Sequence, residues 1–71
     1  MIQYEIEIVR IAQAIKHIRT EKGLSVQELA YRCNIERSNL SRIEAGRSNM
    51  TIKTLCIICN ALEIQLVNLL G

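Results

Sequence analysis

A chain of 71 residues with net charge +2 has room for one small domain, which buries only ~60% of its unfolded surface, and none for a separate effector unit. Hydrophobic residues make up 49% of it and charged residues 23%, a globular rather than a disordered balance. Pro, Trp, Phe and Asp are absent, Tyr4 and Tyr31 are the only aromatics and His17 is the only histidine. The core must therefore be aliphatic, and no Asp/His/Cys cluster is at hand for catalysis or a metal, so neither an enzyme nor a cofactor is expected.

The opening segment, Met1–Val9, reads two ways. Ile2, Tyr4, Ile6 and Ile8 alternate with Gln3, Glu5 and Glu7 at the strand period, while Tyr4, Ile8, Ile11, Ile15 and Ile18 share one helical stripe. Residues 1–7 are set apart as an N-terminal arm of either conformation, ahead of a domain over residues 8–71. From Ile8 to Glu21 the helical period is clear, and Gly23 stops this helix by taking a left-handed conformation. Ser25-Val26-Gln27-Glu28 is a capping box, in which hydroxyl and carboxylate reciprocally satisfy two backbone amides. It starts a short second helix, ended after Cys33 by Asn34, a residue that tolerates positive φ.

A third helix is expected over residues 37–45, with Leu40 and Ile43 inward and Gly46 closing it. Thr51 caps a fourth, with inner stripe Ile52, Leu55, Cys59 and Leu62, and Gln65–Leu70 forms a fifth. The fold class is all-α. Cys33, Cys56 and Cys59 are an odd number, and there is neither a secretory signal nor an 18-residue apolar run. A reducing, cytoplasmic setting without a membrane is expected. Cys56-Ile57-Ile58-Cys59 has C-x-x-C spacing but no second ligand pair and no strand–helix context, so both thiols are assigned to a core helix face.

The informative stretch is residues 25–45: two short helices joined by a turn of three or four residues. Leu29, Ala30, Ile35, Leu40 and Ile43 converge inward, and the other face of the second of these helices carries Arg37, Ser38, Asn39, Ser41 and Arg42. This is helix-turn-helix spacing, whose second helix enters the DNA major groove. Short hydroxyls, an amide and forked guanidinium groups suit base edges and phosphates better than the Glu and Lys of an ordinary solvated helix face. Positive charge also gathers here, where Arg32, Arg37, Arg42, Arg47 and Lys53 outnumber Glu36 and Glu44.

Leu24-Ser25-Val26-Gln27-Glu28-Leu29-Ala30, Ile35 through Gly46, Arg47-Ser48-Asn49, Thr51 through Leu55, and Ala61-Leu62-Glu63-Ile64 together resemble the Cro/phage-repressor-like (XRE) helix-turn-helix family. Residues 49–55 also resemble the small controller proteins of restriction–modification systems. The resemblance implies a five-helix phage-repressor-like fold binding a palindromic operator in double-stranded DNA as a homodimer, with no small-molecule ligand. It implies base-edge contacts for Arg37, Ser38 and Arg42, a groove-facing position for Ser41, phosphate contacts for Arg47 and Ser48, and an internal Arg19–Glu44 ion pair; Asn39 joins the DNA-binding set from its place on the polar face. Two positions depart from the family pattern: Val26 stands where Gln often approaches a phosphate, leaving Gln27 as a weak substitute, and Glu36 stands where Ser, Thr or Asp usually caps the recognition helix.

Ile64, Leu66, Val67, Leu69 and Leu70 offer more apolar surface than one small core needs and are assigned to a dimer interface. The alternative function is that of an antitoxin or protein-interaction adaptor, in which the same fold clasps a partner protein.

Overall fold

The computed structural model describes residues 1–71 and contains helices α1 (Tyr4–Glu21), α2 (Val26–Cys33), α3 (Arg37–Glu44), α4 (Ile52–Leu62) and α5 (Val67–Leu70). No strand is present, and no helix is long and apolar enough to cross a membrane. Helices of eight residues are too short to persist alone in water, so α2 and α3 depend on packing. They pack on each other, α2 also on α4, and α1 on both α3 and α5. Ile15, Leu29, Leu40, Ile58 and Leu62 are the largest fully buried side chains, and they join all four longer helices in one core.

Four helices end by the same device. The residues at the exits of α1 to α4, Gly23, Asn34, Gly46 and Glu63, have φ of 72°, 55°, 73° and 58°. The next amide donates to a carbonyl five residues back: Leu24 to Arg19, Ile35 to Ala30, Arg47 to Arg42 and Ile64 to Cys59, at 3.0–3.1 Å. This is the Schellman closure. It turns the chain sharply and points Leu24, Ile35 and Ile64 back at the core. Gly46 also sits close to α1, where a Cβ would lie 3.2 Å from a methyl of Val9 and that side chain would have to give by a few tenths of an ångström.

The structure departs from the sequence expectations at both ends and in α4. Residues 4–7, assigned to an arm, are the first turn of α1; Tyr4 and Ile6 nevertheless remain exposed, because no other element reaches far enough to cover them. The strand-like alternation is thus the signature of a helix apolar on more than one side. In α4, Ile52 is 63% exposed and Ile58 takes the expected core place. Cys59 is buried and Cys56 exposed, so only one thiol of the C-x-x-C pair is in the core. Burial pushes the Cys33 and Cys59 thiols up, which keeps them protonated. Helix α5 starts at Val67 rather than Gln65, whose amide donates to the Asn68 side chain instead. Leu69, assigned to a surface between subunits, is 4% exposed and belongs to the chain's own core.

Glu63 is the one carboxylate in the left-handed region, where a Cβ costs roughly 1–2 kcal/mol, partly offset in glycine by its larger unfolded-state entropy. Glu63→Gly is expected to stabilise the fold by about 0.5–1 kcal/mol, raising Tm by a few degrees in a thermal melt. A lower Tm would show that the carboxylate has a compensating role.

Candidate nucleic-acid interface

Helix α2 begins as the capping box requires. The Ser25 hydroxyl accepts from the Glu28 amide at 3.0 Å, and the Ser25 amide donates to the Glu28 carboxylate at 2.9 Å. The bond from the Ser25 amide above all holds the Glu28 carboxyl below the usual carboxylate range. Because the folded value is the lower one, this cap contributes fully above the ordinary carboxylate pKa and fades as pH falls through the lowered value. Asn34, Ile35 and Glu36 then make the turn, in which half-buried Ile35 packs against the core and Ala30, 3% exposed, lets the helices approach.

Helix α3 lacks a comparable start, since Glu36 makes no capping hydrogen bond through its side chain. It is held from its inner face and its far end. Leu40 and Ile43 enter the core, and Glu44 receives two hydrogen bonds from Arg19 on α1, from Nε at 2.7 Å and from Nη2 at 3.0 Å. The third nitrogen, Nη1, donates to the Leu24 carbonyl at 2.7 Å, and the two side chains are only 8% and 6% exposed. The forked donor matches the two carboxylate oxygens in plane. No buried side-chain polar atom is left without a partner.

With its inner face so committed, α3 presents the rest to solvent. Arg37, Ser38, Asn39, Ser41 and Arg42 are all exposed. Ser38 and Arg42, four residues apart, project together at the centre of the outer face. Asn39 and Ser41 diverge to opposite flanks, about 160° apart at 3.6 residues per turn. On one flank, Asn39 and Arg42 share a cleft with Ser48, Asn49, Met50 and Thr54 of the following loop and of α4. Towards α2, Arg37 lines a cleft with Gln27, Tyr31 and Ile35. Arg47 is exposed and Ser48 half-buried at the exit of α3, and none of Arg37, Arg42 and Arg47 is in an ion pair.

The sequence assigns no DNA-binding role to Tyr31, Asn49 or Thr54. Tyr31 is 86% exposed and stands one turn beyond Gln27 on the polar face of α2, a spacing that could have drawn attention to it. Asn49 and Thr54 reach the cleft only because the loop folds back on α3, which no local pattern announces. No group of three or more His, Cys, Asp or Glu residues comes together anywhere in the fold.

Removing one partner of the buried pair strands the other charge. Glu44→Ala is expected to cost about 3–5 kcal/mol in urea unfolding, while a double replacement, Arg19→Met with Glu44→Leu, should recover much of that loss. A cost below 1 kcal/mol for Glu44→Ala would show that α3 is held by its apolar contacts alone.

The chain resembles known proteins over this same geometry. The helix-turn-helix family model HTH_3 matches residues 15–69. An immunity repressor protein of Bacillus phage phi105 is 39% identical over 61 residues, covering 86% of this chain and 42% of the repressor, so the chain spans about two fifths of that relative's length. An uncharacterised HTH-type transcriptional regulator of Sinorhizobium fredii is 38% identical over 52 residues, covering 73% of this chain and 68% of the relative. Among solved structures, the restriction-modification controller protein C.AhdI from Aeromonas hydrophila superposes with a TM-score of 0.87 at 30% identity, covering 90% of this chain and 97% of that one. With two short helices crossing at Ala30, a polar outer face on the second and a family model spanning most of its length, the protein belongs to the helix-turn-helix family HTH_3, of the XRE or Cro/C1 type.

Proposed function

We propose that this chain is a transcriptional regulator that binds a palindromic operator in double-stranded DNA as a homodimer, placing α3 in the major groove of each half-site. The observation that carries this reading is the outer face of α3. It is exposed, free of apolar side chains from Arg37 to Arg42 apart from inward Leu40, and backed by the buried Arg19–Glu44 pair. A helix is ~10–12 Å across with its side chains, close to the ~12 Å width of the major groove. Ser38 and Arg42 would then meet base edges at the groove floor. Arg37, Gln27 and Tyr31 lie to one side of them, and Asn39, Arg47 and Ser48 to the other, where the phosphates run. A face built to clasp a partner protein would carry apolar anchors at its centre, and this one has none. Binding to chromosomal or phage DNA would place the protein in the cytoplasm.

A homodimer fits the energetics. One module of this size covers ~600–1,000 Å² on DNA, and a handful of phosphate contacts gives only the ~10⁻⁴–10⁻⁶ M of non-specific binding. Two modules with recognition helices ~34–36 Å apart read two half-sites. Val67 and Leu70, 62% and 50% exposed, together with half-buried Ile64 and Leu66, make the C-terminal surface proposed for the contact between subunits.

The test uses duplexes selected from a randomised library by the wild-type protein. Arg42→Ala is expected to lose about 1–3 kcal/mol of binding, concentrated at one base pair in each half-site, whereas Arg47→Ala should weaken all sequences alike and flatten the salt dependence. Equal losses on every duplex for Arg42→Ala would remove its base-reading role. Light scattering at tens of micromolar should show a dimer for the wild type and a monomer for Val67→Glu with Leu70→Glu. A wild-type monomer that still binds tightly would overturn the dimer.

A further inference from the structure

The basic residues of α1 divide into two kinds. Arg10 pairs with Glu7 at 3.1 Å, His17 faces Glu21 at 3.4 Å, and Arg19 is committed to Glu44 at 2.7 Å. Lys16 has no carboxylate partner at all, and the positions three and four residues from it along the helix are Ala12, Gln13, Arg19 and Thr20. Glu44, which lines the same cleft, has both oxygens accepting from Arg19 and forms no ion pair with Lys16. Lys16 is exposed and lines a cleft with Val26 at the start of α2 and with Ser41 and Ala45 on the outer side of α3.

This cleft lies on the flank of α3 that carries Ser41, across the helix from the cleft shared by Asn39, Ser48 and Asn49. A helix seated in the major groove has one sugar–phosphate strand along each side. The loop after α3 serves one strand. On the other side the Val26 side chain has no donor, which leaves that strand to the backbone amides at the start of α2 and to Gln27, Tyr31 and Arg37. The geometry points to Lys16 as an additional phosphodiester anchor of that second strand, a contact made from α1 rather than from the helix-turn-helix itself. The assignment rests on the DNA-binding reading above. A flexible ammonium with three donors suits it, since a phosphate contact positions the protein without demanding the planar match of a guanidinium.

The experiment measures binding of the full chain to its selected duplex between 0.05 and 0.5 M salt for wild type, Lys16→Gln, Lys16→Arg and Lys22→Gln, with a thermal melt of each. Each phosphate contact contributes about −0.9 to the slope of log K against log salt. Lys16→Gln should therefore lose about 0.9 of slope per bound protomer, weaken every duplex about eightfold per protomer at 0.1 M salt and leave Tm unchanged. Lys16→Arg should keep the wild-type slope. Lys22→Gln removes the same charge outside the cleft and should also keep the slope. A slope unaltered in Lys16→Gln, or lowered equally in Lys22→Gln, overturns the anchor while the wild type still binds. Failure of the wild type to bind any selected duplex overturns the functional reading itself.

Discussion

The orientation of α3 depends on the ion pair between Arg19 and Glu44. An eight-residue helix with no side-chain cap at its start has little of its own to fix its roll or its axial position. Leu40 and Ile43 keep one side of it inward, but apolar contacts tolerate small rotations and slides. A bidentate guanidinium–carboxylate contact does not, since both oxygens and three donor nitrogens are committed at once. In a site this dry, losing the alignment would leave desolvated charge without compensation. A buried pair of this kind adds little net stability over apolar residues of the same volume, but its geometry is directional, which suits a face of short Ser and Asn side chains.

The same pair ties together elements distant in sequence. Arg19 is at the end of α1, its third nitrogen holds the carbonyl of Leu24 in the link to α2, and Glu44 ends α3. The cleft beside it carries Lys16, Val26 and Ser41, so α1 is part of the nucleic-acid surface in the proposed complex rather than only a support for it. The repeated left-handed exits at Gly23, Asn34, Gly46 and Glu63 do the complementary work. They end each helix abruptly and return the next apolar side chain to the core, which is how five helices close around one core in so short a chain.

Much of the fold was legible locally. The capping box at Ser25, the stop at Asn34, the Thr51 cap and the closures at Gly23 and Gly46 are encoded within a few residues of where they act, because they satisfy backbone groups of their own turn. The first turn of α1 was not legible. A helix that extends beyond the core can be apolar on several sides, and two periods then fit equally well. The exposure of Ile52 and Cys56 has a related cause: the stripe of α4 is wide, and only its neighbours decide which edge of it is covered. Leu69 looked like surplus surface because its place under α1 depends on where a four-residue α5 docks.

The site divides along the same line. By itself the sequence determined that a helix-turn-helix is present, where its two helices begin and end, and which residues form the polar face from Arg37 to Arg42. Those properties follow from periodicity and capping within some twenty residues of chain. Only the tertiary structure decided which flank of α3 each side chain occupies, that Tyr31, Asn49 and Thr54 border the same surface, and that Lys16 stands unpaired beside it. These depend on how α1, α2 and the loop before α4 pack around α3, and on Glu44 being consumed by Arg19. No local stretch of sequence contains that information, because it arises from contacts between segments brought together by burial of a shared core.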